Sequence, residues 1–381
     1  MDDQHPNLHD PKERFRNFNA GRANFTLLAI VVFIAGCAVL KITAVVVVPI
    51  IIAVLLALVI YPFVMLLDRF RIPRYISITA ATLFIVAGLY FIGVVVFSSA
   101  RTLLALYPSY ESRFNEIYRA LADLMTFPFD EDLTFSQNLL AQLGVRNFII
   151  SSTYSLSKNS FQFLGDALMV VLYLVFLLFE ATMFKEKLET VFEGKTVIQI
   201  KKIGSDTMRQ VSRYLTVKFF ISVGTGALVG GLLHLVGLEF ALVWGVLQFI
   251  LNFIPNLGSI AAGLIVSLFG LLQFWPDPQP IIMVVVIMLG VNMVIGNIVE
   301  PKILGDNLGL SPLVVLLSLV IWGYLLGFAG MILSVPMMVI VKIICENVPM
   351  LEPISVFLGS RKPVEKKKKE KSKTNQGSPN V

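Results

Sequence analysis

Five neutral polar side chains, Asn252, Asn256, Ser259, Asn292 and Asn297, and one carboxylate, Glu300, stand within stretches that are otherwise almost wholly apolar. Amides and hydroxyls offer donors and acceptors without net charge, so in such surroundings they suit the binding and release of a small polar solute. Glu300 directly follows the apolar run 281–299. A carboxylate there has two readings: a point where a proton and a cation compete, or, favoured, a helix-end charge paired with Lys302 at an interface. A helix starting after the Pro255–Gly258 break would add free N–H groups, suited to an anion or an electronegative oxygen. Asn292 and Asn297 are five apart, which on an α-helix puts them on loosely related faces.

The elements that must position these residues are broken apolar segments. Residues 240–274 carry Asn252-Phe-Ile-Pro255-Asn256-Leu-Gly258-Ser259 between two arms, each of roughly 15 residues and so short of the ~20 needed to cross a hydrocarbon core. Residues 313–344 repeat the design, with arms flanking Gly327-Phe-Ala-Gly330 and Pro336 in the second arm. Between them lie 281–299, long enough to cross, and a connection holding Pro301, Gly305, Gly309 and Pro312. Backbone groups released at these Pro and Gly positions need partners other than lipid, so the breaks, as hinges, should face protein or a water-filled cavity.

The chain is 56% hydrophobic and 15% charged, with a mean hydropathy of +0.80. Such a balance excludes a soluble domain and fixes the class as all-α, a polytopic helical membrane protein. The formal net charge of +6 does not imply nucleic acid, because the basic residues sit in loops and in a terminal tail, as positive-inside topology requires. Cys37 and Cys345 read as buried thiols, and His5, His9 and His234 form no ligand cluster. With no nucleophile–base pair, metal site or phosphate loop, neither catalysis nor a cofactor is expected.

In chain order, residues 1–24 read as a cytosolic leader and 25–100 as transmembrane helices. These open with a hairpin, 25–40 and 42–67, about Lys41, followed by an arginine-rich cytosolic loop and a third span, 75–99. Residues 101–160 carry an apolar stripe at helical spacing through Tyr110 and Phe114, opened by Pro108 in a first turn. That segment reads equally as a small extracytoplasmic domain covering a substrate path and as a linker on the membrane surface. A fourth span occupies 161–184. Residues 185–213 form a basic cytosolic loop whose helical face runs into the next span, where Lys218 snorkels. The transport core is 214–345, and 346–381 is a basic, disordered cytosolic tail able to touch anionic lipid.

Counting from a cytosolic start, hairpins at 240–274 and 313–344 would open to opposite sides, making an inverted repeat with both termini cytosolic. A competing drawing lets each broken segment cross as one long kinked helix.

Across these residues the chain resembles the autoinducer-2 exporter (PerM-like permease) family of bacterial inner-membrane proteins. The resemblance lies in Phe253-Ile-Pro255-Asn256-Leu-Gly258, in Glu300-Pro301-Lys302-Ile-Leu-Gly305 with Leu308-Gly309-Leu310-Ser311-Pro312, and in Gly327-Phe-Ala-Gly330 through Pro336. Position 256 is Asn where the family's break commonly has an aromatic residue. Membership implies a closed homo-oligomer in the inner membrane and export of a small polar solute such as autoinducer-2. Some members are associated instead with sodium (cation)/proton antiport, which makes that the alternative, with Na+ or H+ as partner. A third class, a membrane scaffold without transport, would not require polar residues at paired breaks.

Overall fold

The computed structural model describes residues 27–28, 31–32, 34–125, 165–180, 195–304, 309–348 and 351–359. The leader, residues 126–160 of the amphipathic segment, part of the basic loop, Gly305 and the tail beyond 359 lie outside them. Among the described residues every regular element is helical, apart from one isolated antiparallel bridge, Leu310 to Gly359. By length and composition six of these helices could cross a membrane, one of them, Pro312–Asn347, only when its two halves on either side of Gly327 are taken together. In lipid a helix satisfies every backbone group within itself, so even β-branched runs such as Ala44–Val48 become helical.

The elements are α1 (Ala44–Arg69), α2 (Arg74–Met125), α3 (165–180), α4 (Lys195–Val236), α5 (Ala241–Leu251), α6 (Leu257–Phe274) and α7 (Pro278–Val294). A π-turn, Ile295–Val299, joins α7 to α8 (Glu300–Leu304), with α9 (Pro312–Asn347) and α10 (Glu352–Leu358) after it. Three apolar clusters hold them together. Ala53, Ile60 and Val64 of α1 pack with Ile78 and Ala81 of α2 and Leu174 of α3. Leu55 and Leu58, on another face of α1, meet Val211, Tyr214 and Leu215 of α4 and Val339 and Ile343 of α9. Farther along α4, Val229 and Leu233 join α5, α6 and α7 through Ala262, Val266, Val284 and Met288. Lipid tails are as apolar as these side chains, so what the clusters contribute in a bilayer is close packing between helices rather than removal from water.

Both broken segments fold back on themselves. Trp244 on α5 packs against Phe269 on α6 at 4.9 Å between ring centroids, the rings tilted at 49°, while Asn252 and Ser259 meet at the other end. The arms are therefore antiparallel, with residues 252–256 as the tip. In α9 the reversal falls at Gly327, whose backbone (φ 66°, ψ −147°) leaves helical space. Gly323 then lies beside Met331, and Trp322 beside Gly330. A single long kinked helix is not what forms in either segment. The base of the first hairpin sits at the end of α4, at Gly237–Glu239. The second hairpin packs its farther residues, Val339 and Ile343, on the earlier half of α4. Its tip-proximal Leu319 and Met331 reach toward the first cluster. The hairpins thus approach α4 from opposite ends.

The first apolar run breaks at Thr43, two residues past Lys41: one helical stretch ends at Ile42 and α1 begins at Ala44, with Val46 N closing a tight turn on the Thr43 carbonyl at 3.0 Å. The Thr43 hydroxyl bonds back to the Val39 carbonyl at 2.7 Å. Two expectations need correction. Pro108 lies inside α2, which runs unbroken past residue 101, rather than opening a separate helix. Residues 351–359, expected in a disordered tail, form α10, because Pro353 in its first turn favours a helix there. Gly359 then pairs with Leu310, and Ser311 N donates to Leu358 O at 3.1 Å.

Candidate functional site

The first hairpin is held by close backbone approach. A side chain at Gly226 of α4 would meet the Gly245 carbonyl of α5 at 2.6 Å, and one at Gly245 would meet the Gly226 carbonyl at 2.7 Å, so only glycines allow this spacing. At the tip, a Cβ on Gly258 would overlap the carbonyl oxygen of Leu251. Gly258 therefore serves the fold by letting the arms meet, and Gly330 does the same against the Trp322 carbonyl in the second hairpin. Gly327 has nothing near it; its positive φ is what a reversal there requires.

Behind the first tip lies a cavity of about 980 Å³ between α4, α6 and α7. Asn252, Pro255, Asn256, Ser259, Asn292, Asn297, Glu300 and Pro301 all line it. Of the hinge residues, Pro312 sits in the first turn of α9 beside the Ser311 cap, Gly309 has a positive φ, and Pro336 is buried in the second arm. Most of the cavity wall is apolar, including Ile281, Val285 and Met288.

The polar groups form a chain. Gln248 Nε2 donates to Asn292 Oδ1 at 2.8 Å, and Asn292 Nδ2 donates to the Ser259 carbonyl at 3.3 Å. Asn252 Nδ2 donates to Ser222 Oγ at 3.0 Å, and Ser259 Oγ approaches Asn252 Oδ1 at 3.5 Å. One buried acceptor, Gln248 Oε1, has no protein partner. Asn256, in the left-handed region at φ 57°, is exposed and caps α6 without a side-chain bond.

Two placements differ from expectation. The partner of Glu300 is Lys218, at 2.6 Å, rather than Lys302, which is exposed. Lys218 does not snorkel: its side chain is 4% exposed, and a buried ammonium needs a counter-charge more than a distant interface. Asn292 and Asn297 also share one wall. The π-turn between them, seen in the bond from Glu300 N to Ile295 O, adds one residue to a turn, so residues five apart come onto one face. Gln248 and Ser222 escape sequence reasoning. Gln248 falls four residues before Asn252, one helical turn along α5, and that spacing is the signal that could have found it.

Comparison with known proteins identifies relatives over most of the chain. The family described as AI-2E family transporters matches residues 27–350. A putative transport protein of Borreliella burgdorferi is 33% identical over 342 residues, covering 88% of this chain and 90% of that protein. The AI-2 transport protein TqsA of Escherichia coli is 32% identical over 323 residues, covering 84% of this chain and 91% of its own. A sodium-lithium/proton antiporter of Halobacillus andaensis is 26% identical over 358 residues, 86% and 95% of the two chains. On these matches, which run over most of its length, the chain belongs to the AI-2E family of membrane transporters.

Proposed function

We propose that this protein is a secondary transporter of the bacterial inner membrane that exports a small, uncharged polar solute, with autoinducer-2 as the first cargo to test. The observation that carries this reading is the grouping of Asn252, Asn256, Ser259, Asn292 and Asn297 around one cavity at the tip of a broken hairpin. A largely apolar pocket with a few convergent amides and hydroxyls suits a small polyol, whose hydroxyls both give and accept hydrogen bonds. The charges on the wall are one anion and one cation bonded to each other, so a neutral ligand displaces neither. The two hairpins act as re-entrant elements that meet within the bilayer, and both termini lie in the cytosol. A closed homo-oligomer is the working assembly.

A second reading, cation/proton antiport, is favoured by the Lys218–Glu300 pair, the one charged partnership on the cavity wall. The antiporter of Halobacillus andaensis, at 26% identity, supports testing it.

One assay separates the two. Purified protein in liposomes is given labelled autoinducer-2 and a panel of neutral polyols, and in parallel sodium pulses against an imposed pH gradient. Solute flux that Asn252→Leu abolishes supports export. Sodium-dependent collapse of the gradient that Glu300→Gln removes supports antiport. No flux of either kind overturns both.

A further inference from the structure

The polar groups of the cavity cluster at the tip of the first hairpin, while its apolar wall runs along α6 as far as Leu271; the base of the same hairpin carries a second set of polar contacts that the carrier reading leaves unused. At the base, Gln273 in the last turn of α6 bonds in two directions. Its Nε2 donates to the Gly237 carbonyl at 2.9 Å, and its Oε1 accepts from Glu239 N at 2.7 Å. Trp244 Nε1 donates to the Glu239 carbonyl at 3.0 Å. Onto this base docks the part of α2 that extends beyond its apolar stretch, Arg74–Leu103. Tyr110 donates its hydroxyl hydrogen to the Glu239 carboxylate, and Arg113 donates to the Gln273 carbonyl. The Tyr110 ring, 8% exposed, lies 5.5 Å from Phe269, which Trp244 and Phe240 also touch.

These contacts are of a strong kind. The Arg113 guanidinium meets a carbonyl at a helix C-terminus, where the backbone dipole is negative and cations are favoured. Burial first, and the Glu239 carboxylate second, push the Tyr110 hydroxyl above its ordinary range, so it stays a donor. The tip is held differently. Its cross-links are neutral, one of them is stretched to 3.5 Å, and its cap residue Asn256 is exposed with a positive φ. Charge-assisted bonds are roughly twice as strong as neutral ones, so the base resists displacement more than the tip does.

We propose that α2 beyond Leu103 is a strap that fixes the base of the first hairpin, so that the tip moves about a stationary pivot. Tyr110 and Arg113 are then positioning residues for transport, acting through the hairpin without touching solute. This rests on the carrier reading above, and it assigns a role to an N-terminal segment that the cavity itself does not need.

The test uses two readouts on the full chain in liposomes. Hydrogen exchange reads the strap without any cargo: amides at 237–241 and 271–275 should exchange more slowly than those at 252–258. Tyr110→Phe with Arg113→Met should speed exchange at the base by about tenfold or more, as expected from losing hydrogen bonds to charged groups. Transport reads the pivot. The same double variant should lower the maximal rate while the half-saturation concentration holds, and Arg113→Lys should restore part of the rate. In a background with Cys37→Ser and Cys345→Ala, Tyr110→Cys and Glu239→Cys bridged by a short bis-maleimide should keep transporting. A bridged protein that stops transporting overturns the pivot, as does a double variant with an unchanged rate. Equal exchange at base and tip overturns the strap even if no cargo is moved. Absence of flux in the unaltered protein, with slow base exchange intact, instead counts against the carrier reading.

Discussion

Lys218 and Glu300 meet at 2.6 Å on the wall of the cavity, with the lysine side chain 4% exposed and the carboxylate side chain 23%. The asymmetry in burial sets the outcome of breaking the pair. Glu300→Gln strands a buried ammonium and should cost about 3–5 kcal/mol, whereas Lys218→Met leaves a carboxylate that keeps some access to water and should cost less. The combination of both substitutions should recover much of the loss. Thermal unfolding of the four proteins in detergent checks this; additive penalties in the double variant would count against the pairing, and equal penalties for the two single variants against the asymmetry.

The hairpin glycines divide by cause. Gly258→Ala and Gly330→Ala drive a methyl into a backbone carbonyl and should each destabilise by about 3 kcal/mol or prevent folding. Gly327→Ala meets no neighbour and bears only the positive φ, for which about 1–2 kcal/mol is expected. Gly231→Ala, with open space around it, should fold as well as the parent. Melting temperatures and folded yield give the ranking directly.

In the polar chain, Asn292 makes two bonds, whereas Gln248 makes one and leaves an acceptor unpaired. Asn292→Leu should therefore destabilise more than Gln248→Leu, by about 1–2 kcal/mol, because it strands partners on both sides. Denaturation midpoints of the two variants measure the difference.

Much of the site is legible in the sequence because polar residues in apolar segments have few explanations. Asn252, Asn256, Ser259, Asn292, Asn297 and Glu300 stand out on that ground, and they line one cavity. The breaks are legible too, since Pro255-Asn256-Leu-Gly258 and Gly327-Phe-Ala-Gly330 interrupt arms too short to cross. What sequence does not disclose is tertiary. The partner of Glu300 is 82 residues away on another helix, and local charge points to Lys302 instead. The π-turn has no residue signature in 295–299, so the shared face of Asn292 and Asn297 is hidden from 3.6-residue spacing. Pro108 suggests a boundary where the helix runs on, because helix continuity at a proline depends on what packs around it.

Transport by this route requires the tip of the first hairpin to open into a water-reached, solute-binding cavity. The most direct measurement is labelling of Asn256→Cys by a membrane-impermeant maleimide, in protein with Cys37 and Cys345 replaced and set in sealed membranes. The expected result is rapid labelling from at least one side, slowed by a transported solute. A cysteine at position 256 that stays unreactive from both sides under every condition, as one facing lipid tails would, contradicts it.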